Sequence, residues 1–207
     1  TKSIKSAELR MGVLSKQSAA FTNTLSNAAQ ETTALGMTTQ EAAEAQANYT
    51  ASMGRNVMLT EEGHDAMAQL AQGTVLGAEG AAEMAANMEN FGISVAGTRD
   101  IVKSMLDTAH EMGVNAEKTT QNLRENLQLA QRFHFQGGVK GMTEMAAKSA
   151  KFKMNMSAVA PLAEKVFNVE GAVETAAQFQ VMGGEFSKLA DPFKLMFKAR
   201  HDFEGLF

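Results

Sequence analysis

One short pattern occurs three times along the chain and limits what the chain can fold into: an apolar residue, a glycine, a second apolar residue and a small polar residue. Glycine readily adopts the left-handed conformation that ends a helix, and its apolar neighbours can pack back onto the flanking helices. The Thr, Ser or Asn can then cap the next helix by accepting a bond from one of its free N–H groups. The pattern predicts short helices joined by tight turns, with turn and cap residues at Gly36 and Thr38, Gly92 and Ser94, and Gly113 and Asn115.

The stretches between these turns have the periodicity and composition of helices. Met84, Met88 and Phe91 lie at i, i+4 and i+7, and Thr38 followed by Glu41 fits a capping box. The chain has only two prolines, and much of its 44% apolar content comes from alanine and methionine. Small side chains bury little area, which predicts thin contacts between closely packed helix backbones. We expect an all-α fold of short amphipathic helices, arranged as hairpins or an irregular bundle, with no sheet.

Composition divides the chain into three segments. Residues 1–34 are rich in Ser, Thr, Asn, Gln and Ala, and we expect a polar helical lead-in there. Residues 35–182 carry the glycine-marked turns and form the helical-hairpin region, in which the glycines of residues 60–80 predict short helices and tight turns. Residues 183–207 hold a C-terminal helix that starts at Asp191-Pro192 and an apolar tail end.

The titratable residues do not indicate an active site. The chain has no cysteine, and none of its four histidines pairs with another at the i, i+4 spacing of a helical zinc site. The densest group, residues 61–65, fits a solvated acidic helix start after Thr60 better than an acid–base or cation site. The glycine-rich stretch 73–80 lacks the Lys-Ser/Thr of a phosphate-binding loop. We predict that the chain is not an enzyme and has no catalytic, metal-binding or cofactor-binding residue.

The net charge and the start of the chain bear on its partners and its context. A formal net charge of −4 argues against a specific nucleic-acid partner. No apolar run approaches the roughly 20 residues that span a bilayer. The sequence starts at Thr1, without an initiator methionine and without the apolar segment of a signal peptide. We therefore expect the chain to be part of a longer polypeptide.

An apolar cluster lies near the C-terminal end of the sequence. A cluster this apolar is normally covered, so we predict a partner-binding surface there, with packing on the chain's own helices as the equally weighted alternative. The cluster comprises Phe193, Met196, Phe197, Phe203, Leu206 and Phe207.

Residues from about Leu70 to Val166 resemble the helical region of phage tail tape-measure proteins. In that family an Ala-rich helix ends at an apolar-Gly-apolar-Ser pattern, and two further helices precede a Gly-rich turn. The resemblance covers roughly half of the chain. The matching runs are Ala81-Ala82-Glu83-Met84, Phe91-Gly92-Ile93-Ser94, Met112-Gly113-Val114-Asn115, Leu123-Arg124-Glu125-Asn126-Leu127 and Met145-Ala146-Ala147.

This resemblance implies a structural virion protein. Proteins of this family lie inside the tail tube in a few copies, help to set tail length during assembly and leave the tail at genome ejection. The implied partners are the tail tube, the tail-tip or baseplate hub, further copies of the same chain in a homo-oligomer such as a trimer, and the host envelope at ejection. The implied location is the tail lumen or tail tip of the virion, and the host cytoplasm during assembly.

Other functions stay open on sequence grounds. The chain can be another internal or ejected virion protein, or a tail assembly factor. Helical signalling and secretion adaptors share its Ala/Gln/Ser/Thr-rich helices, but the short glycine-marked helices count against the sustained heptads of that class. An enzyme would need a cleft with convergent titratable groups, which the sequence does not indicate.

Overall fold

The structure is a computed structural model that describes residues 32–132, 135, 137–153 and 156–206, together with residues 23, 24, 26, 27 and 30. Every regular element within these ranges is an α-helix or a 3-10 turn, and no strand occurs among them. The predicted all-α class is therefore confirmed. The lead-in expected at residues 1–34 lies mostly outside the described residues.

Nine α-helices have both their ends within the described ranges. In chain order they are α1 (Thr39–Met53), α2 (Glu61–Gly73), α3 (Gly77–Glu89), α4 (Val95–Glu111), α5 (Ala116–Arg132), α6 (Gly138–Phe152), α7 (Ala160–Lys165), α8 (Val169–Met182) and α9 (Pro192–His201). Short 3-10 turns lie at Met156–Ala158, Gly184–Leu189 and Phe203–Leu206.

The chain folds as two compact units, Thr1–Ser104 and Met105–Phe207, and the division falls inside α4. The boundaries expected from composition, after residue 34 and after residue 182, do not coincide with this division. Composition reports how polar a segment is, whereas compact units depend on which helices pack together.

The three glycine patterns form the same hydrogen-bonded helix end. At the first pattern, Met37 N–H donates to the Thr32 carbonyl over 3.0 Å and Gly36 N–H donates to the Thr33 carbonyl over 3.1 Å. This pair of bonds is the Schellman arrangement, and it satisfies two of the carbonyls that a helix end leaves free. The glycines have positive φ, as predicted. The equivalent pairs are Ile93 to Met88 with Gly92 to Glu89, and Val114 to Ala109 with Gly113 to His110.

The polar residue of each pattern caps the helix that follows. Thr38 Oγ1 accepts the N–H of Glu41 at 3.2 Å, and the Glu41 carboxylate accepts the N–H of Thr38 at 2.8 Å, which is the predicted capping box. The bonds from the Thr38 N–H and hydroxyl lower the pKa of Glu41. The side chains of Ser94 and Asn115 accept the N–H three residues further on, at 3.1 Å and 2.8 Å. Each pattern thus ends one helix and starts the next.

In the first unit, α3 packs against both α1 and α2. The buried face of α3 contains Ala81, Ala82 and Ala85, which are inaccessible to solvent. Side chains this small let helix axes approach closely. The larger buried side chains of the unit are mainly methionine. The helices of this unit therefore meet through small and flexible side chains, which agrees with the contacts predicted from the composition. The fully buried methionines include Met37, Met67, Met84 and Met88.

A buried glutamine connects α1 to the segment that precedes α2. Gln46 is inaccessible to solvent, and its Nε2 donates to the Val57 carbonyl over 2.8 Å while its Oε1 accepts the Leu59 N–H over 3.0 Å. Thr50 Oγ1 accepts a further bond from Nε2 at 3.0 Å and donates to the Val57 carbonyl. A buried amide whose donors and acceptor are all paired fixes one geometry, because each unpaired group would cost about 1–3 kcal/mol.

In the second unit, α5 packs against α6, and α8 packs against α9. The contact between α5 and α6 includes a buried hydrogen bond from Asn122 Nδ2 to Ser149 Oγ at 2.9 Å. Near the start of α8 the backbone of α7 comes very close, since a Cβ added to Gly171 would lie 2.0 Å from the carbonyl oxygen of Lys165. Glycine is therefore needed there for lack of space.

Replacing Gly92 by alanine is expected to lower the free energy of unfolding by about 1–2 kcal/mol, because the left-handed conformation strains an alanine by that amount. Gly73→Ala is the matched control. Gly73 is the last residue of α2, has no positive φ and has open space where a Cβ would be added, so alanine should cost nothing there. Urea unfolding followed by circular dichroism measures both variants, and equal effects would contradict the prediction.

Gln46→Leu is expected to lower the free energy of unfolding by about 1–3 kcal/mol, because it leaves the Leu59 N–H without its acceptor and removes one of the two hydrogen bonds to the Val57 carbonyl. Hydrogen exchange of the Leu59 amide should also become faster. Gln40→Leu on the exposed side of α1 is the control, since Gln40 bonds only to Glu44 among the described side chains and should change stability by less than about 0.5 kcal/mol. An unchanged exchange rate at Leu59 in the Gln46 variant would show that this bond does not protect the amide.

Candidate interaction surfaces

The last helix, α9, exposes two phenylalanines. Asp191 caps the helix, because its Oδ1 accepts the N–H groups of Phe193 and Lys194 at 2.9 Å and 3.2 Å, and Pro192 occupies the first helical position as predicted. Phe193 and Phe197 lie one turn apart and are 77% and 62% exposed. Two exposed phenyl rings at this spacing are typical of a surface that a partner covers.

The other residues of the predicted partner surface have different environments. Phe203 is inaccessible to solvent, and its ring meets the ring of Phe135 edge-on with centroids 5.3 Å apart. This ring belongs to the interior of the second unit, which corrects the expectation that it lies on a partner surface. Met196 and Leu206 are half-buried, and Phe207 lies outside the described residues. Sequence alone grouped these residues because all are apolar, and it did not show on which side of the chain each one lies.

The exposed side of α8 is a second apolar surface, and sequence reasoning did not identify it. Val169, Val173 and Val181 are 58%, 51% and 88% exposed, while Ala172 and Ala176 are buried. Ala176 lies two turns after Val169 on the same side of the helix, so Val169 and Val173 border the buried alanines and the apolar stripe continues from the interior onto the surface. Helical periodicity finds the stripe but does not say how much of it tertiary packing leaves exposed. The available signal was the Val-Glu pair that recurs at 169–170 and 173–174.

A cleft of about 470 Å³ lies in the first unit, between the segment after α1 and the turn after α3. At its wall the Tyr49 hydroxyl donates to the Glu89 carboxylate, and the Arg55 guanidinium lies 3.3 Å from the same carboxylate. The side-chain oxygens of Thr60 and Ser94 also line the cleft, and they cap α2 and α4. The polar groups of this lining therefore hold helix ends together, and none of them pairs a nucleophile with a base.

The acidic group at residues 61–65 is only partly solvated. Glu61 and Glu62 are exposed, as expected. His64 is buried on the same face of α2 as Met67 and Ala71, and its Nε2 has no hydrogen-bond partner among the described residues. Burial lowers the pKa of His64 to about 4. The expectation of a solvated cluster is therefore wrong for His64, whose imidazole is neutral at pH 7.

No three His, Asp or Glu side chains in the described part of the chain are grouped so that they could hold a metal ion. No described helix is long and apolar enough to cross a membrane.

Comparison of the chain with protein-family models, with curated proteins and with solved structures finds no match. The fold and the surfaces define an all-α protein with exposed apolar helix faces. Its function is therefore inferred from the sequence pattern together with this geometry.

The neutral, buried His64 is expected to make the first unit less stable in mild acid. His64 takes up a proton near pH 6.5 in the unfolded chain and only near pH 4 in the folded chain. The stability that the neutral His64 contributes is therefore complete above pH 6.5 and is lost as pH falls toward 4. The loss across this window is on the order of 3 kcal/mol. Urea unfolding at several pH values should show a weaker pH dependence for His64→Gln than for the unmodified chain.

His110→Gln is the control for a general effect of losing a histidine, because His110 is exposed on α4. If the two histidine variants have the same pH dependence between pH 4 and 6.5, the buried imidazole is not responsible for it.

Proposed function

We propose that this chain is a structural segment of a phage tail tape-measure protein. The observation that carries the proposal is the order of glycine-marked helix ends within the stretch that resembles this family. The turns at Gly92 and Gly113 bound α4, and α5 and α6 follow in the order of the family pattern. In this proposal the segment takes part in tail length determination and assembly, and is released at genome ejection.

The thin packing of the first unit supports this proposal. Its buried side chains are mostly alanine and methionine. Alanine buries little apolar area, at about 25 cal/mol per Å², and methionine adapts to new neighbours. A protein that is assembled inside a tube and later released from it has to change its packing, and a core of this composition allows that at low energetic cost.

The helix ends also limit what this segment does. As one continuous helix, its 207 residues would extend over roughly 310 Å at about 1.5 Å per residue. The glycine turns divide the described part into short helices instead. We therefore assign the measuring of tail length to the longer parent polypeptide, and this segment to a folded part of it.

The exposed apolar faces offer surfaces for the partners that the proposal names. Phe193 and Phe197 on α9 are the exposed members of the predicted partner surface. The proposed partners are the tail tube and the tail-tip or baseplate hub, further copies of the chain in a homo-oligomer such as a trimer, and the host envelope at ejection. The proposal includes no enzyme activity, no cofactor and no specific nucleic acid, and its location is the virion tail, with the host cytoplasm during assembly.

In-frame deletions in the gene of the parent polypeptide, which includes this segment, are expected to shorten the tail in proportion to the residues removed. The reason is that the parent polypeptide of this proposal spans the tail lumen. Electron microscopy of purified particles measures tail length, and mass spectrometry of the same particles gives the intact mass of the native polypeptide. A synonymous recoding of the same region is the control and should leave tail length unchanged.

A native product close to 22.1 kDa, together with unchanged tails, would overturn the tape-measure proposal. The same particles then separate the alternatives. An internal or ejected virion protein would be present in purified particles, whereas an assembly factor would be absent from them.

A further inference from the structure

Two phenylalanines form the centre of the side of α9 that points away from the second unit. Leu195 and Ala199 are buried and hold the other side of the helix against the unit. Successive residues of an α-helix lie about 100° apart, so Phe197 is directly opposite the middle of this buried side. Phe193 lies one turn before Phe197, and both rings are more than half exposed. We call this side the outward face of α9.

Two cations border the aromatic centre, one on each side. By the same geometry, Lys194 and Arg200 each lie about 60° from Phe197 round the helix, in opposite directions. Both are exposed. The helix has no Asp or Glu, and the nearest acids in the chain, Asp191 and Asp202, accept backbone N–H groups at its two ends. The outward face therefore has positive charge along both of its edges.

The stability of α9 does not account for Lys194. This residue lies in the first turn, where the positive end of the helix macrodipole disfavours a cation. It has no ion-pair partner among the described residues. Arg200 donates to the Phe167 carbonyl, which holds the guanidinium at the edge of the outward face with further N–H donors to offer. Both charges are thus available to an anionic partner.

The chemistry of the face fits the surface of an anionic lipid bilayer. Aromatic rings of an interfacial helix enter the boundary between headgroups and acyl chains, while lysine and arginine reach the lipid phosphates. The outward face is convex, because it is the side of a helix that packs through its other side. A protein partner would need a groove with acidic residues along both edges, whereas a bilayer surface is anionic all round the inserted rings.

The charge of the whole second unit permits this contact. Residues 105–207 contain twelve Lys and Arg and twelve Asp and Glu, so the formal net charge of −4 belongs to the first unit. The second unit is formally neutral and does not repel an anionic surface, while the outward face of α9 attracts one.

We infer that the outward face of α9 binds the surface of an anionic lipid bilayer, with Phe193 and Phe197 at the acyl boundary and Lys194 and Arg200 on lipid phosphates. The ten residues of α9 extend about 15 Å, half of the roughly 30 Å hydrocarbon core, so the contact is interfacial. This inference names the chemistry by which the chain meets an envelope, and it rests on the proposed function only for the stage at which they meet.

Flotation of the purified chain with vesicles tests the inference. At millimolar lipid, the chain should bind phosphatidylcholine vesicles that contain about 30% phosphatidylglycerol much better than pure phosphatidylcholine vesicles. Raising the salt to about 1 M should weaken binding, because the Debye length falls to about 3 Å. Lys194→Glu should lower the affinity at least about fivefold and leaves the helix intact, since an acid is favoured in the first turn. Lys118→Glu on α5 changes the net charge equally and is the control.

A single tryptophan can report whether the rings enter the bilayer, because the chain has no tryptophan of its own. Phe193→Trp should show a blue-shifted emission on the anionic vesicles. Phe152→Trp is the matched control, since Phe152 is 64% exposed between two lysines at the end of α6 and should give no shift. Replacing Phe193 and Phe197 together by alanine should lower the affinity at least about tenfold, because the apolar contact is lost.

Three outcomes would overturn the inference. The first is no binding at millimolar lipid, or equal binding to neutral and anionic vesicles. The second is an equal blue shift for tryptophan at positions 193 and 152. The third is self-association of the chain that the double alanine variant abolishes without affecting vesicle binding, which would assign the face to a second copy. None of these outcomes changes tail length, so this inference and the tape-measure proposal can fail separately.

Discussion

Every α-helix leaves four N–H groups and four carbonyls without partners inside the helix, and a chain built from short helices has to satisfy these groups repeatedly. This constraint explains the recurrent pattern of the sequence. Around Gly92, four consecutive residues close α3 with two backbone bonds and open α4 with one side-chain bond. Capped ends and packed faces stabilise these short helices, so the helices depend less on the intrinsic helix propensity of their residues.

Buried hydrogen bonds between specific polar groups help to fix how the helices pack, which in cores rich in large apolar side chains is done by those side chains. In the first unit, Gln46 satisfies two backbone groups of the segment before α2, so this segment has a fixed path even though few bulky residues cover it. In the second unit, Asn122 and Ser149 connect α5 to α6 through a buried bond. Such contacts are directional, and they specify a unique packing where alanine faces alone would allow helices to slide.

The parts of the fold that depend on local chemistry were predictable from the sequence. The helix class, the three glycine turns, the capping box at Thr38 and the start of α9 at Asp191 all follow from residues within a few positions of each other. The glycines at 63 and 80 lie inside helices instead of in turns, and the residue that caps the end of α6 is Lys153, which has a φ of 54° without being glycine. Gly63 and Gly80 are buried, so packing within the first unit overrides their local preference for turns.

The candidate surfaces were less predictable, because exposure depends on contacts between distant residues. The apolar character of Phe193, Phe197 and Phe203 is equal in the sequence, yet two of the rings are exposed and the third is buried. Likewise, His64 belongs to an acidic group in the sequence, but its position on α2 directs it to the interior. The valines Val169 and Val173 of α8 were missed because they border the buried alanines on the same apolar stripe, and only tertiary packing decides how much of that stripe is exposed.

The packing partners described above are close in sequence as well as in space: α3 packs on α1 and α2, α5 on α6, and α8 on α9. Loops that join such neighbours are short, so closing them costs little chain entropy, and folds dominated by local contacts form within microseconds to milliseconds. Ribosomes add only about 5–20 residues per second. The helices of the first unit therefore have time to pack while the second unit is still being synthesised, and apolar faces such as those of α8 and α9 emerge after the first unit.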